Sequence, residues 1–201
     1  MLGKNHIAAN VCSLAILANG MLAMESMATG SVGEKLKAGI EAIGRFARGD
    51  TPLIPWLVAV PFLYIVGTLM PDADTDTSMM GRALHLPFEH RTWTHAVWFP
   101  LLIGLGCMSS PIVAWFLLGY VLHLAWDSVS KAGVCWFYPI SRYRSYPNGA
   151  KVKERHVFWM YRTGQASEYI VIAVLVFLAL LSSWGCWAAG GYTLLWDAIR
   201  V

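Results

Sequence analysis

Carboxylate and imidazole side chains are concentrated in the stretch between Gly67 and His95, which connects two apolar runs. The sequence there is GTLMPDADTDTSMMGRALHLPFEHRTWTH. An ordinary connector between apolar helices does not require so many carboxylate and imidazole groups. Oxygen and imidazole ligands crowded together suit a divalent cation, most readily zinc, with manganese as the alternative. The stretch therefore predicts a metal site.

Two pairs within this stretch have spacings that could serve one centre. Asp72 and Asp74 follow Pro71 at alternate positions, so both carboxylates can face one point, and two like charges held together need a cation. Pro-Asp sequences also start turns readily, which is the alternative. His90 and His95 suit one centre if His90 lies in the loop and His95 on the next turn. Either histidine could instead be a structural hydrogen-bonding group.

Further candidates lie outside this stretch. His123 and Asp127, in HLAWD, share one helix face and can bind one ion, or one can orient the other; a hydrogen bond within the helix is the alternative. Glu168 could be a ligand, a general base or a favourable charge at a helix N-terminus. His6 reaches the site if the first apolar run is a retained helix and not a cleaved signal. Arg91 could hold an anionic oxygen or anchor the chain at a membrane surface.

The composition is that of a membrane protein. Of the residues, 57% are hydrophobic and 13% charged, whereas soluble proteins average roughly 25% charged. We expect one domain over residues 1–201. The net charge of +3 is too small to indicate a nucleic-acid partner. Four cysteines without CxxC spacing argue against structural disulfides and against a cysteine zinc site.

Apolar runs predict an all-α fold, a membrane helical bundle of four or five transmembrane helices. A full crossing needs ~20 apolar residues, which the first and last runs provide; the three middle runs are shorter and need a thin bilayer or cross only partly. A short amphipathic helix is expected within Ser31–Gly49, with a solvated linker helix as the alternative. Thr92 or Thr94 is available to cap the helix that follows. The runs are Ile7–Met24, Trp56–Met70, Trp93–Met108, Ile112–Trp126 and Tyr169–Ala189.

If all five runs cross, the connectors sort into two sides. The side that holds the N-terminus has ten basic residues and the other side five, which places the N-terminus and the metal site in the cytoplasm. Eight potential metal ligands lie on this same side, and ionisable groups near hydrocarbon usually mark function. They are His6, Asp72, Asp74, His90, His95, His123, Asp127 and Glu168.

The segments LMPDADTDTSMMGRALHLPFEHRTWTH, GYVLHLAWDSVSKAGVCWFYPISRYR and GQASE resemble the YdjM family of bacterial inner-membrane proteins. That family is described as membrane-bound, metal-dependent hydrolases, and its founding member is regulated by the DNA-damage repressor LexA. The resemblance implies an inner-membrane location. It also implies that the same eight residues form the functional set.

The order of the ligands is also similar, more distantly, to that of zinc-dependent phospholipase C and its related nucleases. Those enzymes hold a cluster of zinc ions with His and Asp ligands. Their late HxxxE motif would require histidine at position 164, where this chain has Gly164. Alanine also stands at position 96 after HRTWTH, where serine is expected. The departure at position 164 counts against the full cluster of three ions found in those enzymes. One or two ions are therefore expected.

These observations lead to one favoured function and two rivals. We expect a metal-dependent hydrolase that cleaves a phosphoester or ester bond of a membrane lipid, with Asp127 or Glu168 as general base and Arg91 steadying developing charge. A metal-ion or proton-coupled transporter would place such residues near the bilayer midplane, and here they cluster at helix ends. A non-catalytic protein with a structural metal would need a closed coordination shell.

Overall fold

The chain's structure, a computed structural model, describes residues 3–27, 34, 53–88, 90–107, 112–130, 133–140, 144–145, 151–152 and 161–192. The regular secondary structure of the described residues is helical, apart from the antiparallel two-residue strands β1 (Arg144–Ser145) and β2 (Lys151–Val152). The all-α class is therefore confirmed. The α-helices are α1 (Gly3–Met27), α2 (Leu53–Leu69), α3 (Met79–Leu84), α4 (Trp98–Cys107), α5 (Val113–Ser128) and α6 (Ala166–Ala188).

Each predicted apolar run overlaps one of these helices, but the third run begins differently. Its first residues, Trp93–His95, form a 3-10 turn, and α4 begins only at Trp98. Ala96 has an extended backbone between the two, which interrupts the helix. The helix expected within Ser31–Gly49 lies outside the described residues apart from Glu34, which is helical.

Two described helices, α1 and α6, are long and apolar enough to cross a membrane. Along α6, Ile170, Phe177 and Leu180 are each exposed by 63% or more. An apolar surface of this kind marks an interaction with lipid or protein. These features agree with a membrane protein, while α2, α4 and α5 are shorter.

The bundle is built from two close helix pairs, α2 against α5 and α1 against α6. Glycines allow the first pair to approach, because a Cβ atom at Gly67 would collide with the carbonyl of Phe116, and one at Gly119 with that of Tyr64. Small residues at such crossings are typical of helices packed within membranes. Gly67 and Gly119 therefore allow the close packing of α2 against α5.

Asparagine side chains connect α1 to its neighbours. Asn10 Nδ2 donates to Thr68 Oγ1 at 2.9 Å and to the Gly119 carbonyl at 3.0 Å, so it joins α1 to α2 and α5. Nearer the other end, Asn19 Nδ2 donates to Ser182 Oγ at 3.2 Å and to Ser183 Oγ at 2.9 Å on α6. Buried polar groups need such partners. These hydrogen bonds hold α1 against α2 and α5 at one level and against α6 at another.

Candidate metal centre

Four buried side chains meet at one end of the bundle: Asp72, His95, His123 and Asp127. One ligand atom from each lies within 4.8 Å of the others. Asp72 is on the 3-10 turn Met70–Asp74 that follows α2, and His95 is on the 3-10 turn before α4. His123 and Asp127 are one turn apart near the end of α5. The connector and α5 thus supply two ligands each.

In this group, histidine nitrogens alternate with carboxylate oxygens. His123 Nε2 is 3.5 Å from Asp72 Oδ1 and 3.9 Å from Asp127 Oδ2. His95 Nε2 is 3.5 Å from Asp127 Oδ2 and 3.8 Å from Asp72 Oδ1. Zinc bonds of ~2.0–2.1 Å in a tetrahedral site bring ligand atoms to roughly 3.3 Å from one another. The donor atoms are therefore close to the spacing that such an ion requires.

Hydrogen bonds to the other ring nitrogen set the tautomer of each histidine. His123 Nδ1 is 2.6 Å from the Thr68 carbonyl oxygen, which can only accept, so Nδ1 carries the proton. The Thr94 hydroxyl donates to Asp74, so it accepts from His95 Nδ1 at 3.0 Å. Both Nε2 atoms therefore present a lone pair, and in the described part of the chain neither has a hydrogen-bond partner.

The two Nε2 lone pairs face two carboxylates, which are also rich in electrons. The nitrogen and oxygen atoms therefore repel one another unless positive charge lies between them. A divalent cation provides that charge and takes all four groups as ligands. The buried, unsatisfied Nε2 atoms of His95 and His123 therefore fit a metal ion. The donor atoms of this group are a mixture of imidazole nitrogens and carboxylate oxygens, as the sequence predicts.

The pKa values of groups in the connector also reflect the need for positive charge. Burial raises the pKa of Asp72, but the close approach of His123, His95 and His6 more than offsets it, and the net pKa lies below the ordinary value. Burial lowers the pKa of His95, but contacts with Asp127 and Asp74 raise it overall. Both shifts favour charged forms, so a proton on His95 supplies the positive charge that a bound cation would replace.

His6 lies directly against the four-residue group. Its ring stacks on that of His123, with centroids 3.7 Å apart and planes 12° from parallel. Its Nε2 atom is 3.3 Å from Asp127 Oδ1, and the side chain is fully buried. The first helix therefore brings His6 to the predicted side and into contact with two predicted ligands.

Asp74, His90 and His95 form a second group of close ligand atoms. His90 Nδ1 is 2.7 Å from Asp74 Oδ1, while Asp74 Oδ2 accepts from the Thr94 hydroxyl and from the Arg91 backbone N–H at 3.3 Å. Burial opposes ionisation of Asp74, but hydrogen bonds from His90 and Thr94 and contact with His95 lower its pKa well below the ordinary value. Asp74 thus holds the imidazole of His95 in place.

Arg91 is buried and its guanidinium faces the protein. Nη2 is 2.8 Å from Asp127 Oδ2, and Nη1 donates to Ser130 Oγ at 3.2 Å and to the Gly133 carbonyl at 2.8 Å. The Arg91 backbone has a positive φ of 65°. These contacts fix Asp127, an arrangement that the sequence did not indicate. The predicted contact between Arg91 and a substrate anion stays a prediction.

Glu168 is buried at the start of α6, and its two oxygens have different partners. Oε1 accepts from Asn5 Nδ2 at 2.7 Å, and Oε2 accepts from the Gly164 backbone N–H at 2.5 Å. Asn5 is next to His6 in α1, so the hydrogen bond from Asn5 links Glu168 indirectly to the metal centre. Neither close ligand group of the described residues includes Glu168. Gly164, with φ of 75°, stands where the phospholipase-like motif would require histidine.

All eight predicted ligands therefore converge at one end of the bundle. Three supporting groups were not predicted from the sequence: the carbonyl of Thr68, the hydroxyl of Thr94 and the amide of Asn5. Thr94 was expected as a possible helix cap, but its hydroxyl instead links Asp74 to His95. The one available signal was its position within HRTWTH.

Comparison with known proteins gives one match. The family described as YdjM inner membrane protein matches residues 38–192, a range that includes every predicted ligand except His6. Neither the curated proteins nor the solved structures include a significant match, so the likeness to phospholipase C stays an expectation. Because the match extends over most of the chain, the protein belongs to the YdjM family of inner-membrane proteins.

Proposed function

We propose that this protein is a membrane-bound hydrolase that cleaves an ester or phosphoester bond of a membrane lipid with the help of a divalent cation. The supporting observation is the pair of buried Nε2 lone pairs on His95 and His123, which face the carboxylates of Asp72 and Asp127. When bound, such a cation supplies Lewis acidity that polarises the scissile group. Zinc suits these donors best.

The surrounding side chains have separate tasks in this proposal. Arg91 fixes Asp127 through the 2.8 Å ion pair, and Thr94 orients His95. Asp127 or Glu168 acts as general base and accepts a proton from the attacking water. Glu168 is held for this task by its hydrogen bonds from Asn5 and Gly164.

A lipid substrate and the membrane topology belong to the same proposal. In addition to α1 and α6, we infer that α2, α4 and α5 enter the bilayer as a multi-pass bundle. The metal centre then lies at helix ends, at the level of lipid headgroups. The excess of basic residues on the connectors of this side supports a location at the cytoplasmic face.

A structural metal is the second candidate, and one observation favours it. Four protein groups supply donor atoms, three of them fully buried and Asp72 only 9% exposed. Closed sites with four protein ligands are typical of structural zinc, whereas catalytic zinc keeps an open position. The transporter alternative is less well supported because the ligands cluster at helix ends.

Metal analysis combined with lipid turnover separates these candidates. The purified chain would be assayed for bound metal and for release of phosphate or fatty acid from bacterial lipid extracts. We expect wild type to retain metal and release product, and His123→Ala to lose both. His85→Ala is the matched control, because the His85 side chain is exposed and forms an ion pair with Asp76, outside the metal centre. Retention of metal by wild type without turnover would reject the hydrolase and leave the structural candidate.

A further inference from the structure

We propose that the cleft beside Asp72 binds the anionic headgroup of a membrane phospholipid, with Lys4 as its cationic contact. This inference rests on the proposed function, because Asp72 is one of the four metal ligands. It goes further by naming the charge of the substrate and the residue that selects it.

The cleft lies between the first turns of α1, the end of α2 and the segment that begins α3. Its volume is about 300 Å³, and residues from all three elements line it, among them Lys4, Ile7, Leu69, Asp72 and Met79. Asp72 is the one member of the four-residue group in this lining. The cleft therefore connects the buried centre to the outside.

Lys4 gives the cleft its positive charge. The side chain is exposed on the first turn of α1, and within the described part of the chain it forms no ion pair. A lysine ammonium binds phosphate as a compact point charge. Asp72 alone would repel an anion, so an anionic headgroup needs both the cation at the centre and the ammonium of Lys4.

Most of the remaining lining of the cleft is apolar. Ile7 on α1 and Leu69 on α2 contribute to it, as do Met79 and Met80 at the start of α3. Met79 is 60% exposed, and methionine side chains adapt to ligands of irregular shape. Such walls suit an acyl chain, so the fitting ligand is a phospholipid and not a free phosphate.

The wall that carries the methionines is fixed relative to Asp72. Ser78 Oγ donates to the Asp72 carbonyl at 2.6 Å and accepts from the Gly81 backbone N–H at 2.7 Å. A Cβ atom at Gly81 would collide with the Thr75 carbonyl. The methionine wall is thus pre-formed beside the metal centre, which limits the ordering cost of binding.

Calorimetric titration of the full chain in detergent would test this inference. The probes are dihexanoyl phosphatidylglycerol, zwitterionic dihexanoyl phosphatidylcholine and free glycerol 3-phosphate. Because the choline ammonium neutralises the headgroup and is repelled by Lys4, we expect wild type to bind phosphatidylglycerol about tenfold more tightly than phosphatidylcholine, and Lys4→Met to lose that preference. Glycerol 3-phosphate, which lacks acyl chains, should bind at least about tenfold more weakly than phosphatidylglycerol.

Two control variants make the result decisive. Lys4→Arg keeps the charge and should keep the preference, as should Arg82→Met, since Arg82 is exposed on α3 and does not line the cleft. The inference is overturned if Lys4→Met keeps the preference, if Arg82→Met loses it equally, or if glycerol 3-phosphate binds as well as the lipid. Product release is measured in the same samples. Selective binding without turnover would reject the hydrolase alone, and turnover without any effect of Lys4 would reject this inference alone.

Discussion

The positions of two protons determine whether this cluster can bind a cation. His123 and His95 each direct a ring N–H away from the centre, toward the Thr68 carbonyl and the Thr94 hydroxyl. Each therefore turns an Nε2 lone pair toward the carboxylates of Asp72 and Asp127. Partners of this kind tune a metal site as strongly as its direct ligands do, because they fix the tautomer and the ring orientation.

Replacing Thr94 should therefore weaken metal binding without removing a ligand. Thr94→Val keeps the shape of the side chain but loses the hydroxyl that links Asp74 to His95. We expect zinc affinity to fall by about 10–100-fold, measured by competition with a chromogenic chelator. Thr163→Val, in the exposed turn before α6, is the matched control. An unchanged affinity in Thr94→Val would show that the hydroxyl does not orient His95.

At the scale of elements, the close crossing of α2 and α5 brings the Thr68 carbonyl to His123. Gly119→Ala would place a methyl group against the Tyr64 carbonyl and force the two helices apart. Overpacking of this kind costs about 1–3 kcal/mol, so both the unfolding midpoint and the zinc affinity should fall. Gly106→Ala on α4 is the control, because a Cβ atom there meets nothing within 4 Å. A stable Gly119→Ala variant with normal zinc affinity would contradict the predicted coupling.

The pairing of α1 with α6 should contribute to stability separately from the metal. Asn19→Ala removes the hydrogen bonds to Ser182 and Ser183, and such contacts between membrane helices contribute about 0.6–1.7 kcal/mol. Asn19 is ~20 Å along α1 from His6 at 1.5 Å per residue. We expect a lower unfolding midpoint but unchanged metal content by mass spectrometry. Loss of metal in this variant would show that the two ends of the bundle are coupled.

The helices could be predicted from sequence because each apolar run is long and nearly uninterrupted. The exception is instructive: the run from Trp93 is apolar enough for a helix, yet α4 begins only at Trp98. The intervening Thr94 and His95 bond to groups of the metal centre. Tertiary contacts therefore override the local pattern where the chain builds the site.

The candidate ligands could be predicted for a related reason, but their partners could not. His123 and Asp127 share a helix face, and Asp72 follows a helix end, which are local properties of the sequence. The contacts of Arg91 with Asp127 and of Glu168 with Asn5 join residues 36 and 163 positions apart. Such contacts depend on how helices are placed against one another, and no local pattern records that placement.

For the whole molecule, removal of the metal should lower stability because four buried side chains then lose the cation that they share as ligands. At an ion concentration about 100 times the dissociation constant, binding stabilises the folded state by ~2.7 kcal/mol. For a chain of this size, the unfolding midpoint should fall by roughly 5–10 °C when a chelator is added, and added zinc should restore it. Asp72→Asn should respond less, since it lacks one of the four ligands. An identical midpoint with and without chelator would contradict the metal site.

The proposed orientation of the bundle in the membrane can be tested separately. The predicted ligands lie where α1, α4 and α6 begin and where α2 and α5 end, so the helices alternate in direction and share one site face. We expect that face to be cytoplasmic because its connectors contain most of the basic residues. In a variant without native cysteines, Thr77→Cys on the site face should react with an impermeant maleimide only after cell lysis. Glu34→Cys, on the connector between α1 and α2, should react in intact spheroplasts. The opposite labelling pattern would reverse the orientation, and labelling of both cysteines in spheroplasts would show that α2 does not cross the membrane.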